Sequence, residues 1–421
     1  MHHLHNAAVR AGPEAELLFC CVQRQLRQPE LRQPVQGRLD ELVRGSLNWD
    51  VLLESGRRHG LVPLLHETLL ALDPAHIPAV TRETLDGWFR AIVAKNLALG
   101  GELLKVADAC AEKSIPVIAF KGPGLSQRLY GDVTRRMFLD LDLLVRPADA
   151  EKLCAILYEM GYRGCLGIAS HNERSYLRSS GQLPFTSQDG TRTIEVHTAL
   201  LSGMRGRWAA SNDLALQAEE ISLFGRRLRV LSDDDLFIYL CWHGTKHIWE
   251  RLSWIGDLAQ LMLTKPERNW PQIARRVEQL HCRRAVGLGL ALASQLVGGV
   301  LPAHLEEFDT PRAVSFLSAH VAGNLFGQRR PANMFRSLGY HLKSKDRLRH
   351  RIQFVYRILV QPNVADWRAL HLPPRLNLFY YLLRPLRLIW NYSRLLAHSA
   401  RRWKSRIRPA SEAGNPDQGN A

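Results

Sequence analysis

No stretch of this 421-residue chain approaches the roughly 20 consecutive apolar residues that a membrane-spanning helix requires. The first residues, Met1-His2-His3-Leu4-His5, lack the apolar segment of a secretory signal, so a cytoplasmic location is expected and the early histidines read as a frayed end. Seven cysteines (Cys20, Cys21, Cys110, Cys154, Cys165, Cys241 and Cys282) form no C-x-x-C pair and no closely spaced framework. Reduced thiols are expected, rather than disulfides or a cysteine-built zinc site. There is no internal repeat. With 46% hydrophobic and 23% charged residues, disorder and collagen-like structure are excluded. The length suits roughly two or three domains of about 150 residues.

Acidic residues are missing from one region altogether. Lys and Arg outnumber Asp and Glu by 56 to 40, a formal charge of +16. Between Arg375 and Arg408 stand Arg384, Arg387, Arg394, Arg401, Arg402, Lys404 and Arg406, with no acid among them. Leu378, Phe379, Leu382, Leu386, Ile389, Trp390 and Trp403 are interleaved, which predicts a basic amphipathic helix or helix pair interrupted near Pro385. Such a segment can lie on an anionic membrane surface, at the inner membrane for a cytoplasmic protein. It can also track a phosphate backbone, or pack on the body with a solvated arginine face.

The remaining pattern divides the chain. Residues 1–105 carry helical periodicity, with Asn48 placed to cap a helix at Trp49. Residues 106–231 alternate short apolar runs with helices. Strands are expected at Pro116–Phe120, Phe138–Val145 and Thr193–Ala199, and a hairpin at Ile221–Leu231 turning near Gly225. Residues 232–345 are helical again, opened by a cap at Ser232. Residues 346–410 form the basic tail, and 411–421 a disordered terminus.

The strongest chemical signal is Phe138-Leu139-Asp140-Leu141-Asp142-Leu143-Leu144-Val145. Strand side chains alternate, so Asp140 and Asp142 share a face, where a cation would relieve their repulsion. Oxygen ligands at this spacing suit Mg²⁺. Glu195 and His197 share a face of the later strand, and Glu195 would become a third carboxylate if the strands are neighbours. Lys121-Gly122-Pro123-Gly124 lies between a strand and a helix, where free N–H groups can hold phosphates. Arg135 and Arg136 can add contacts to the same phosphates. His197 either touches substrate or is a hydrogen-bonded histidine at a strand end. His243 and His247 are one helical turn apart and either ligate zinc or, with Asp257, brace or line a cleft beside the core. Ser126 has no nucleophile-elbow context, so hydrolase chemistry is not expected.

The run Ile118-Ala119-Phe120-Lys121-Gly122, then Leu129-Tyr130-Gly131-Asp132, then Arg135 ahead of Leu139-Asp140-Leu141-Asp142, with Gly161-Tyr162 following, resembles the uncharacterised nucleotidyltransferase family of the DNA polymerase β-like superfamily. The likeness extends to Asn48-Trp49 and His59-Gly60-Leu61 upstream and to His243, Lys246-His247, Trp249, Trp254 and Asp257 downstream, roughly residues 40 to 305. It stops short of the basic tail. The resemblance implies an α+β fold, a small mixed β-sheet nucleotidyltransferase core flanked by N-terminal and C-terminal helical domains, binding a nucleoside triphosphate such as ATP as its magnesium complex. Asp140, Asp142 and Glu195 match the superfamily's metal-binding carboxylates. Lys121-Gly122 stands where the superfamily has a Gly-Ser pair on the triphosphate.

The implied reaction is in-line attack by an acceptor hydroxyl on the α-phosphorus, with pyrophosphate released and two Mg²⁺ ions at the centre. Glu195 would ligate the acceptor-side ion or take the hydroxyl proton. The expected acceptor is a hydroxyl or phosphate of a small molecule, in saccharide or secondary-metabolite biosynthesis. The alternatives are nucleotidylation of a protein, as antitoxin-like relatives do, and a nucleotide-binding or docking module without catalysis. Nucleic acid is disfavoured, because the basic residues cluster outside the core with no aromatic-basic recognition motif.

Overall fold

The structure, a computed structural model, describes residues 3–26, 28–201, 218–264, 268–296, 308, 311–326, 334–390 and 393–394. The predicted disordered terminus, 411–421, and the end of the basic tail lie outside these residues. The chain forms two compact units, one of residues 1–166 with 176–351 and one of residues 167–175 with 352–421.

In the first unit, α1 (His3–Ala11), α2 (Pro13–Gln25), α3 (Pro29–Arg44), α4 (Trp49–Arg58), α5 (Val62–Leu70) and the long α6 (Ala79–Glu112) lead into the sheet. Asn48 caps α4 as its sequence predicts, its side chain accepting from Val51 N at 3.1 Å. The core then runs β1 (Val117–Ala119), α7 (Gly122–Tyr130), β2 (Leu141–Val145), α8 (Ala150–Glu159), β3 (Arg163–Gly164), α9 (Ser170–Ser180), β4 (Gln182–Thr186), β5 (Thr193–His197), β6 (Glu219–Leu223) and β7 (Arg226–Val230). The seven strands form one mixed sheet in the order β3-β4-β5-β2-β1-β7-β6. The chain is thus α+β, with helices on both sides of the sheet in sequence.

Local chemistry explains the turns. β6 and β7 pair antiparallel across Phe224 and Gly225, whose φ angles of 50° and 77° suit a tight two-residue turn. β2 is buried along its whole length, which is why it reads as a nearly continuous apolar run broken only by Asp142. Ser232 caps α10 (Asp233–Lys246), accepting from Asp235 N at 3.3 Å, and three aspartates in the first turn complement the helix dipole.

α11 (Leu252–Thr264), α12 (Trp270–Leu280), α13 (Arg283–Leu296), α14 (Pro311–Leu325) and α15 (Met334–Lys343) follow. α1 packs against α13 and α14, and α2 against α11 and α13, so helices from both ends of this unit close one core. Phe19, Phe120, Phe237 and Trp249 are among its buried members. Gly244 is there for packing: a Cβ would sit 2.4 Å from the Trp249 ring.

α16 (Leu348–Leu359) runs from the first unit into the second. The second unit holds α17 (Val364–Ala369) and a helix over 380–390. Asn363 and Asp366 form a capping box at α17. The ring of Tyr380 lies 4.2 Å from that of Trp367, and its hydroxyl donates to Leu370 O at 2.6 Å. The interruption predicted near Pro385 does not occur. The last helix passes through this proline, forgoing one backbone hydrogen bond, because Arg384 ties it to Ile358 O (3.0 Å) and to the buried Asp366 (3.3 Å).

Candidate active site

β2 and β5 run parallel, with Asp142 opposite Glu195 and Leu144 opposite His197. Opposed residues in neighbouring strands, and residues two apart along one strand, point to the same sheet face. Asp142, Glu195 and His197 therefore converge, and one ligand atom from each lies within 4.8 Å of the other two. His197 Nε2 stands 3.0 Å from Asp142 Oδ1 and 3.2 Å from Glu195 Oε2. Two residues beyond β1, Lys121 Nζ donates to Asp142 Oδ1 at 3.0 Å.

Asp142 is fully enclosed, yet its second oxygen, Oδ2, is buried without a hydrogen-bond partner. A bare carboxylate oxygen inside a protein is costly and is the natural attachment point for a cation. Two carboxylates and an imidazole nitrogen form a donor set that fits a divalent ion such as Mg²⁺ or Mn²⁺.

The charges in this cluster set one another's titration. Burial raises the pKa of Asp142, but Lys121 and His197 outweigh it, and the group stays well below the usual carboxylate range. Burial and the neighbouring Asp142 push Asp140 the other way, up to about 6. Burial lowers the pKa of His197, but hydrogen bonds to Asp142 and Glu195 overcome it, so the ring holds its proton more tightly than usual. Lys121 is held charged in the same manner, with Tyr239 and Asp142 outweighing its burial.

The other predicted residues fall in several places. Asp140 immediately precedes β2 and is not in the 4.8 Å group, although it feels the charges of Asp142, Lys121 and Glu195. The loop before it is pinned by buried Asn96, whose amide donates to Val133 O and Arg136 O at 2.8 Å each. Lys121-Gly122-Pro123-Gly124, between β1 and α7 as its sequence predicts, forms the N-cap and first turn of that helix. Gly122 has a φ of 58°, and a Cβ there would lie 3.1 Å from Asp140 O. Gly124 brings the helix against the sheet: a Cβ would meet Val230 at 3.3 Å.

Arg135 pairs with Glu67. Arg136 is committed to buried Asp257, Nε to Oδ2 at 2.8 Å, and Tyr130 OH donates to the other oxygen at 2.7 Å. Asp257 is therefore a brace between α7, the pre-β2 loop and α11. His243 and His247 bring their rings within 4.7 Å of each other beside Trp254. Burial, with the nearby lysines, keeps both neutral; His247 is lowered to about 4 and His243 well below its ordinary value. Among the described residues no third metal-ligand side chain groups with them.

Two aromatics were given no site role by the sequence reading. Phe120 packs edge-on against both His197 (5.0 Å) and Tyr239 (5.2 Å), and Lys121 Nζ lies 5.8 Å from the Tyr239 ring centre. Tyr239, His243 and His247 are spaced four residues apart, a signal that was available.

A family model described as an uncharacterised nucleotidyltransferase matches residues 45–298. The chain belongs to this family. No curated protein and no solved structure matches it. Membership supports nucleotidyl transfer in general terms, with a nucleoside triphosphate as donor and a divalent metal as the usual accompaniment. The matched span includes the candidate site residues from Lys121 through His247 and Asp257, and ends ahead of the 352–421 segment. Among the described residues of this nucleotidyltransferase family member, no helix is long and apolar enough to cross a membrane.

Proposed function

We propose that the protein is a Mg²⁺-dependent nucleotidyltransferase that moves a nucleoside monophosphate from a triphosphate to a hydroxyl or phosphate of a small molecule. The observation that carries this reading is the parallel register that sets Asp142 against Glu195, with His197 alongside and Asp142 Oδ2 left bare. Asp142, Glu195 and His197 would hold the first cation, and Asp140 would contribute to a second. Divalent ions bound there supply charge neutralisation for the triphosphate and its transition state. Glu195, with 29% of its side chain exposed, is the carboxylate best able to accept the acceptor's proton. Lys121 leaves Asp142 for a phosphate oxygen when substrate arrives. His197 would have to be neutral to serve as a ligand, since ligation requires an unprotonated imidazole nitrogen.

Pyrophosphate release, measured with each of the four ribonucleoside triphosphates, Mg²⁺ and pooled sugar and alcohol acceptors, tests the reading. Release by the wild-type protein and its loss in Asp142→Asn are expected. A second reading, a nucleotide-binding module without catalysis, draws on the Lys121–Asp142 pair, in which an ammonium already neutralises the central carboxylate. Calorimetric binding of Mg²⁺-nucleotide with no release under any acceptor would favour the module over the enzyme.

A further inference from the structure

We propose that the outward face of the 380–390 helix is a docking surface for an anionic lipid bilayer. This does not rest on the nucleotidyl-transfer reading. The helix is turned inside out relative to an ordinary surface helix. Its inward side carries Tyr380, fully buried, and Arg384 and Arg387, both paired with Asp366. Half a turn round from Arg384 lie Leu382, Leu386 and Ile389, with Trp390 beside them. All four are exposed, as are Leu378 and Phe379 in the turn that leads in, from 52% at Phe379 to 78% at Leu378. A soluble helix normally buries its apolar stripe and shows its charges to water. Here the charges are inside and six large apolar side chains face out.

Charge decides among the possible occupants. Along the sequence this segment supplies only positive groups: nine Lys or Arg and no acid from Arg375 to Arg408, of which Arg384 and Arg387 are turned inward on Asp366. Arg375 and Arg394 are exposed at its two ends, and the Arg394 guanidinium lies 6.0 Å from the Trp390 ring centre. A second copy of this face would be repelled. A nucleic acid backbone satisfies the arginines but leaves the leucines, isoleucine and tryptophan in water. An anionic bilayer satisfies both. The apolar side chains enter the acyl boundary, Trp390 sits at headgroup level, and the arginines reach lipid phosphates.

Sedimentation of the full-length protein with vesicles of phosphatidylcholine alone, or phosphatidylcholine doped with phosphatidylglycerol, tests this. Binding to the anionic vesicles should exceed binding to neutral ones by at least about tenfold. It should fall about tenfold or more in a Leu382→Glu, Ile389→Glu double variant, whose changed side chains are exposed and whose circular dichroism should match wild type. Four results would overturn the proposal: no binding to anionic vesicles, equal binding by wild type and variant, displacement of vesicles by a duplex oligonucleotide at equal phosphate, or a wild-type dimer that the variant abolishes.

Discussion

Removing the Asp142 carboxylate should destabilise the fold as well as abolish function, because the Lys121 ammonium and the His197 ring are held in place by it. The Asp142 side chain is 1% exposed, and it accepts from Lys121 Nζ and His197 Nε2 at 3.0 Å each. Breaking one member of a buried ion pair costs about 3–5 kcal/mol, since the survivor keeps its desolvation cost without compensation. Asp142→Leu should fall in that range. Lys121→Met should cost less, because His197 still bonds Asp142 and the Lys121 side chain is 20% exposed. The double variant Lys121→Met, Asp142→Leu replaces the pair by apolar groups and should recover at least about 2 kcal/mol of the summed single losses. Urea unfolding of the four proteins, followed by tryptophan fluorescence, measures the coupling. The double variant should nonetheless bind no divalent ion. Losses under about 1 kcal/mol that simply add would refute the view that this cluster is a tightly coupled unit.

Two further perturbations have calculable signs. His59 is buried, accepts from Leu252 N through Nδ1 and touches Arg58, and burial, with the charges of Arg58 and Arg251, lowers its pKa to about 3. The unfolded histidine protonates near pH 6.5 and the folded one does not, so its contribution to stability is present above pH 6.5 and is lost as pH falls toward 3, by about 1.4 kcal/mol per pH unit. His59→Gln should remove that slope from the acid side of the unfolding free energy measured by urea denaturation against pH; an unchanged profile would contradict it. Gly122→Ala places a side chain at a φ of 58° and against Asp140 O, which should cost about 1–2 kcal/mol and weaken divalent-ion binding measured by calorimetry. Unaltered binding would show that this turn does not position Asp140.

The parts of the fold that were legible are those whose pattern is local. The Asn48 and Ser232 caps, the Phe224-Gly225 turn and the apolar runs of β1, β2 and β5 each announce themselves within a few residues. β3 and β4 did not. β3 is two residues long, and Pro184 lies inside β4, where a residue without an N–H argues against a strand even though Leu183 and Phe185 alternate into the core. At the site, the two-residue spacing of Glu195 and His197 predicted a shared face, and the family likeness supplied the neighbouring strand. What no spacing reveals is the partner of a lysine 21 residues away: Lys121 reads as a phosphate contact and is found on Asp142. Arg135 and Arg136 illustrate the same limit, since Glu67 and Asp257, the acids that engage them, are remote in sequence.

The central claim is that Asp142, Glu195 and His197 hold a divalent cation, and Mn²⁺ serves as a spectroscopic substitute for Mg²⁺ in testing it. Electron paramagnetic resonance of a Mn²⁺ titration reads binding directly, and modulation of the echo reads any nitrogen ligand. Saturable binding, a histidine nitrogen coupling lost in His197→Ala, and no binding in Asp142→Asn with Glu195→Gln are predicted. Free Mn²⁺ signal undiminished by the wild-type protein, with or without triphosphate, would contradict the account.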